Sequence, residues 1–339
     1  MERFKTRNIW FVVLIGAVIF VVFTNEIGFS KFLVLIGSAS KPLILIAVFF
    51  NLLNLVSYTI TWRFLVTENI SFYKFFKFYM AGTFISNITP AFGTGGEPVK
   101  AMLLGKETGT SRAECFAGVV SQRMLNMFPF LTIGGFGIWL LFSSGIKLET
   151  WQVAALMFAI LLAFSAFGLI MYFYIRKDRV SSFVHSSIRF FAPFIGFVKK
   201  GFDEKTYSDA VDESINSFHG GLRNIRNNKY GLGKAVVFSY FGWIFDILAI
   251  YAIFLSLGEN RIAISVLIIT YTIAMIAGWL PLFLPGGLGV VDGTMAVLFI
   301  YGGVPLEMAV VATLLYRLAS YWFNTILGAF CLGASLKAE

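Results

Sequence analysis

The sequence predicts an all-α integral membrane protein with about six transmembrane helices plus two re-entrant helical hairpins in two inverted repeats. Three observations carry this. Apolar runs of spanning length recur, charge is confined to the stretches between them, and two glycine- and proline-broken segments interrupt the pattern. Of 339 residues, 58% are hydrophobic and 13% charged, where a soluble domain has about 45–50% and about 25%. A helix needs about 20 apolar residues to cross the hydrocarbon core. Such runs occupy 8–24, 42–66, 115–142, 151–175, 233–257 and 306–332.

The first run follows Arg3, Lys5 and Arg7, the basic flank of a signal peptide. Thr24-Asn25-Glu26 offers no small-residue cleavage site, so the run is expected to remain as an anchor. Further basic clusters stand at Arg63, Lys74 and Lys77, at Lys100, Lys106 and Arg112, and densely from Arg176 to Lys234. The loops 25–41, 143–150 and 258–262 carry few charges. The positive-inside rule then puts the basic loops and both termini in the cytoplasm of a multi-pass cell-membrane protein. The net charge of +9 accordingly points to anionic lipid and not to nucleic acid.

The stretch 176–234 holds eleven basic and six acidic residues, which bars it from spanning. Its first part, 181–200, mixes phenylalanines with Arg189, Lys199 and Lys200 and suits an interfacial helix. Its second part, 202–228, has the pattern of a polar helix ending at Gly220-Gly221. His185 and His219 fall in this connector and are expected to be solvated. Cys115 and Cys331 lie in spans without a second thiol or a histidine at ligand spacing, so neither a disulfide nor a metal is expected. No cofactor is expected either, since nucleotide-binding loops and serine elbows are absent from the sequence.

Two segments depart from plain spans: FYKFFKFYMAGTFISNITPAFGTGGEPVKAMLLG and IAGWLPLFLPGGLGVVDGTMAVLFIYGG. Irregular backbone at membrane depth survives only where protein or a wet cavity surrounds it, which predicts re-entrant hairpins over 75–105 and 263–303. The two segments match each other. Pro90 precedes Glu97 by the same interval as Pro285 precedes Asp292, and an Ala-Gly pair stands before each break, at Ala81-Gly82 and Ala277-Gly278. Arg123 follows Glu97 and Arg317 follows Asp292 at nearly equal distance, each on the next span. The repeat unit is two spans, a hairpin and a span, giving a first repeat over 1–142 and a second over 143–339. Counting crossings makes the repeats inverted, an architecture that recurs in transporters with midplane sites.

A guanidinium within an apolar helix costs at least about 2.5–3.5 kcal/mol on insertion scales, so Arg123 and Arg317 need partners. Glu97 and Asp292 are the candidates, within a repeat or across the two. One outcome is two ion pairs that lock the hairpins in place. The other is a cradle for a phosphate-bearing headgroup, built from the two guanidinium groups and the backbone N–H groups at Gly93, Gly95, Gly96, Gly286, Gly287 and Gly289. Lys100 either adds a third positive contact or snorkels to water. Asn87, Thr89, Thr94, Gln122, Asn126 and Asn324 supply further polar groups, whereas Trp279, Tyr316, Tyr321 and Trp322 are read as packing or interfacial residues.

The stretches ITPAFGTGGEPVKAMLL and LPGGLGVVDGTMAVLFIYGGVPLEMAVVATLLYRLASYW resemble the membrane-domain family named after lysylphosphatidylglycerol synthase, also described as flippase-like or UPF0104 proteins. The likeness covers nearly the whole chain and rests on Pro90, Gly95, Gly96, Glu97, Pro98, Pro285, Gly286, Gly287, Gly289, Asp292, Tyr316 and Arg317. It implies movement of phospholipids between leaflets. The chain departs from the family where Gln122 and Asn126 replace acids around Arg123, and where Asp292 replaces the commoner Glu. Fewer acids beside Arg123 favour an anion-binding mechanism over a proton-coupled one. The expected function is therefore a lipid translocase, transporter-like and not an enzyme, whose partner is a membrane phospholipid or a polyprenyl-phosphate lipid; a homo-oligomer is compatible with it. The alternatives are a membrane-embedded transferase acting on a lipid phosphate, with Glu97 or Asp292 as base, and an accessory subunit of lipid-linked glycan or aminoacyl-lipid synthesis.

Overall fold

The computed structural model describes residues 6–66, 68, 70–89, 94–143, 204–278 and 284–337, with scattered positions between 154 and 186. Pro90, Gly93, Trp279, His185, most of the expected span 151–175 and most of the expected interfacial helix 181–200 lie outside the described residues. Every described element is helical. In chain order they are α1 (Thr6–Ile27), α2 (Phe29–Ser38), α3 (Lys41–Phe64), α4 (Phe72–Ile88), α5 (Glu97–Thr108), α6 (Arg112–Ser143), α7 (Glu204–Asn227), α8 (Lys229–Ser256), α9 (Ile264–Gly278), α10 (Val290–Tyr301), α11 (Leu306–Arg317) and α12 (Phe323–Lys337). A 3-10 turn, Pro285–Gly287, precedes α10, and a π turn, Leu318–Trp322, joins α11 to α12 into one helical run.

Among the described residues α3, α6 and α8 are long and apolar enough to cross a membrane. Their surfaces fit that environment, because Leu45, Phe49, Phe136, Trp139 and Phe241 are exposed around them, where lipid tails would replace water. α3 and α8 pack extensively against each other. α4 packs on α12, α6 packs on α9, α5 packs on α6, and α10 packs on α11. Glycines set several of these approaches, as small residues do where helix backbones come close in membranes. A Cβ on Gly134 of α6 would sit 2.9 Å from the Thr272 methyl of α9, and one on Gly328 of α12 would sit 2.5 Å from the Met80 carbonyl oxygen of α4. Gly134 and Gly328 each follow their arginine by the same interval, so the arginine spacing extends into the packing.

Three sequence expectations are corrected. The loop expected over 25–41 is largely helix α2, because Phe32, Leu35 and Ile36 fit into the core beside α11. Its Lys31 Nζ meets Glu307 Oε1 at 2.9 Å. Gly220-Gly221 does not end a helix; α7 runs through it to Asn227. Gly221 is a contact residue, since a Cβ there would lie 2.9 Å from Ala117 Cβ on α6. His219 is half-buried rather than solvated, with Nδ1 3.0 Å from the Ile215 carbonyl oxygen one turn back.

Candidate functional site

Each broken segment is two helices whose arms touch, α4 with α5 and α9 with α10. The Ala-Gly pairs explain how. At the first break, a Cβ on Gly96 would overlap the Gly82 carbonyl oxygen and come within 2.7 Å of Ser86 Oγ. The Gly96 N–H donates to that Ser86 Oγ at 3.0 Å, pinning the start of α5 to α4. At the second break, Gly287 stands against Gly278 and Val291. Here the backbone needs left-handed angles, with φ of 56° at Gly286 and 82° at Gly289, a region that favours glycine. Gly96→Ala should accordingly force the α4–α5 arms apart and destabilise the protein by about 1–3 kcal/mol. A thermal melt of the detergent-solubilised protein checks this, with Gly135→Ala, which meets open space, expected to melt like wild type.

Both acids stand in the first turn of the helix that follows the break. Glu97 is the first residue of α5, and Asp292 is the third of α10. Carboxylates there are stabilised by the helix dipole and by unpaired N–H groups. Asp292 Oδ2 accepts from the Gly289 N–H at 2.8 Å, closing the turn back on itself. Each acid then meets the arginine that follows it in the chain, Glu97 with Arg123 and Asp292 with Arg317. Arg123 donates from Nε to Glu97 Oε1 at 2.7 Å, and its Nη2 lies 2.6 Å from the same oxygen. Arg317 donates from Nε to Asp292 Oδ1 at 2.9 Å and from Nη2 to the Gly286 carbonyl oxygen at 3.3 Å.

The two pairs differ in access. The Arg317 and Asp292 side chains are 9% and 3% exposed, and the Tyr321 ring covers the guanidinium at 4.4 Å. The Arg123 side chain is 43% exposed over a Glu97 that is 7% exposed. Glu97 Oε2 is buried without a hydrogen-bond partner. Lys100, one turn along α5, does not snorkel outward: it is buried, with Nζ 4.2 Å from the centre of the Tyr79 ring, and its charge acts on Glu97. The first pair is therefore a half-exposed arginine over a buried acid with a buried amine one turn along, and the second pair is buried on both sides.

Gln122, Asn126, Asn324 and Asn87 bind helices to one another, whereas the Thr89 hydroxyl, at the end of α4, donates to the Ile85 carbonyl oxygen at 2.7 Å. Gln122 Nε2 donates to the Tyr58 carbonyl oxygen at 2.6 Å, Asn126 Oδ1 accepts from Ser239 Oγ at 2.8 Å, and Asn51 and Asn324 pair through their amides at 2.8 Å. Asn87 Nδ2 donates to Thr325 Oγ1 at 2.8 Å, while Tyr321 Oη donates to the Asn87 carbonyl oxygen at 3.0 Å. Tyr321 thus joins the end of α4 to Arg317 and Gly286 at the second break, a role the sequence did not suggest. The glycine N–H groups expected to cradle an anion are partly engaged already: Gly96 with Ser86, Gly287 with the Leu284 carbonyl oxygen at 3.2 Å, and Gly289 with Asp292.

A further acid escaped the sequence analysis. Asp246, in the middle of α8, is 7% exposed. Its Oδ2 accepts from Tyr271 Oη at 2.5 Å and from Asn54 Nδ2 at 2.7 Å, and Oδ1 faces Tyr316 Oη at 3.4 Å. A lone acid within an apolar run was the signal, since such residues are costly in membranes and mark functional sites by default.

The family model described as the lysylphosphatidylglycerol synthase TM region matches residues 9–328. The chain is similar to a UPF0104 membrane protein of Methanothermobacter thermautotrophicus, 29% identical over 328 residues that cover 94% of this chain and 91% of the relative. It is also similar to a UPF0104 membrane protein of Pyrococcus horikoshii, 26% identical over 94% of this chain and 95% of the relative. A third, from Methanocaldococcus jannaschii, is 26% identical over 97% of this chain and 95% of the relative.

Proposed function

The chain belongs to the lysylphosphatidylglycerol synthase transmembrane family, and from that premise we propose that it is a lipid translocase that passes a phosphate-bearing headgroup across the bilayer by way of Arg123. The observation that carries this is the half-exposed side chain of Arg123 on a helix of membrane-spanning length, in ion-pair contact with a buried carboxylate. A guanidinium fork suits phosphate oxygens. Binding is an exchange: the phosphate replaces Glu97 on Arg123, and Lys100 remains beside Glu97 to balance its charge in the low-dielectric interior. Without a second cation, the released carboxylate would oppose binding by the penalty of an unpaired buried charge.

In this mechanism the broken segments are re-entrant hairpins that enter from opposite leaflets, and the chain is two inverted repeats, 1–142 and 143–339. The packing supports the repeat. Exchanging α3 with α8, α4 with α9, α5 with α10, and α6 with the α11–α12 run turns the observed contacts into one another: α4 on α12 becomes α9 on α6, and α5 on α6 becomes α10 on α11. The α3–α8 pair maps onto itself and lies where an axis for rocking would pass. This reading keeps the basic loops, and both termini with them, on the cytoplasmic side. A transferase is less well served, because Glu97 and Asp292 are both held by arginines and neither is placed as a general base.

The test is leaflet exchange in vesicles reconstituted with the full chain. Fluorescent phosphatidylglycerol and a fluorescent polyprenyl phosphate are compared with a fluorescent glycolipid lacking phosphate. Protein-dependent exchange of a phosphate lipid, but not of the glycolipid, is the expected result. Equal behaviour of all three lipids would remove the proposed headgroup selection.

A further inference from the structure

Asp246 has no lysine or arginine within ion-pair distance among the described residues; its hydrogen-bonding neighbours are two phenols and an amide. An isolated carboxylate at membrane depth is stable only if hydrogen-bonded or protonated. The surrounding donors make either state tenable. Tyrosine hydroxyls donate or accept, so the network keeps its contacts when the acid gains a proton and only the direction of a hydrogen bond reverses. The two carboxyl oxygens are also unequal. Oδ2 has two short bonds, whereas Oδ1 has one contact of 3.4 Å, beyond the usual range for O–H···O bonds. Oδ1 is where a proton fits.

The position couples this acid to the rest of the protein. Asn54 belongs to α3, Tyr271 to the first arm of the second broken segment, and Tyr316 to α11, one residue before Arg317. Asn54 Nδ2 also donates to the Gly242 carbonyl oxygen at 3.0 Å, tying α3 to α8 at the proposed rocking axis. The other groups around the acid are identifiable. Tyr58 acts on it from α3 and Tyr79 from α4; α6 brings Asn126 to Ser239 and Phe130 to Trp243. α7 joins α8 at Asn228, about 27 Å along the helix from Asp246 at 1.5 Å per residue. The Arg317 guanidinium is engaged by Asp292. A π turn, Leu318–Trp322, begins immediately after Arg317, and such turns are frequent at functional sites in helices.

We infer that Asp246 is a proton-carrying site, taking one proton onto Oδ1 from water on one side of the membrane and releasing it to water on the other as α3, α8, α9 and α11 shift against one another. No other reactant is consumed: the carboxylate becomes the acid and is regenerated. A direct hydrogen bond of 2.5 Å from Tyr271 to Oδ2 favours a proton over a metal cation, which needs several oxygens around a central ion and room to hold it. Coupling of this proton to lipid movement rests on the function proposed above; the protonation itself does not.

The experiment has two arms that fail separately. In the first, infrared spectra of the purified full chain are recorded from about pH 5 to about pH 9, a range in which a carrier must change state to work near neutrality. A carboxylic-acid band that disappears as the pH rises, and is absent from Asp246→Asn, is expected. A band that persists throughout, or no band assignable to Asp246, overturns the inference. Tyr316→Phe keeps the ring and removes the hydroxyl facing Oδ1, so it should shift the pH at which the band disappears even if Asp246→Asn folds poorly. In the second arm, vesicles carry an imposed pH gradient and fluorescent phosphatidylglycerol. One-proton coupling shifts the steady-state leaflet ratio by about tenfold per pH unit, and Asp246→Asn should show no shift. Exchange that ignores the gradient in wild type overturns the coupling. Absence of any exchange sinks the lipid function and leaves the infrared result to decide on the proton.

Discussion

Arg123→Ala is expected to lower leaflet exchange of phosphatidylglycerol by about 10- to 100-fold while leaving a folded protein. The size follows from what is removed. A hydrogen bond to a charged group contributes about 1.5–3 kcal/mol, and each 1.4 kcal/mol is tenfold. The fold survives because the Arg123 side chain is half-exposed and the acid it leaves behind still has Lys100 beside it. Arg123→Lys keeps the charge but loses the fork, so it should recover only part of the rate. The assay is dithionite quenching of fluorescent lipid in vesicles, alongside a thermal melt of each variant. A rate for Arg123→Ala equal to that of wild type, in a protein that melts normally, removes Arg123 from the transport path.

How much of this site the sequence revealed depends on whether the information was local. Glu97 with Arg123 and Asp292 with Arg317 were legible because a charge in an apolar helix demands a partner, and the matched spacing named the candidates. Ala81-Gly82 and Ala277-Gly278 were visible as a repeat, but their purpose was not. Only the folded chain shows Gly82 lying against Gly96, and Gly278 against Gly287. The unequal access of the two arginines was invisible, since it depends on the Gly286 carbonyl oxygen reaching Arg317 from another segment and on the Tyr321 ring, one turn along the same helical run, lying over the guanidinium. Asp246 was missed because it lies outside the two matched segments and has no basic partner among the described residues. Its environment is assembled from α3, α9 and α11, far apart in the chain. α2 escaped because a short apolar stretch between two longer ones has the length of a loop, and Gly220-Gly221 misled because a glycine pair marks a break or a close contact equally well.

Arg317→Ala and Asp292→Ala should each destabilise the protein by about 3–5 kcal/mol, the usual effect of leaving one charge of a buried pair uncompensated. The two arginines occupy matching places in the repeat, yet the Arg317 and Asp292 side chains are 9% and 3% exposed, so neither water nor lipid headgroup is at hand to take the orphaned charge. Replacing both together, as Arg317→Met with Asp292→Asn, removes the charges in step. The asparagine oxygen can still accept from the Gly289 N–H that Asp292 now holds. The double variant should therefore recover most of the lost stability, as buried ion pairs replaced by neutral groups often do, and melting curves of the two singles and the double form the cycle that measures it. Its transport rate then separates two roles. If Arg317 only locks the second hairpin, the double variant exchanges lipid within about threefold of wild type, a shift smaller than one hydrogen bond to a charged group would produce. If the headgroup passes from one guanidinium to the other during translocation, the double variant folds and stays as inactive as Arg123→Ala. The closed geometry favours the lock, because opening it would require the Tyr321 ring to leave the guanidinium and break its hydrogen bond to Asn87.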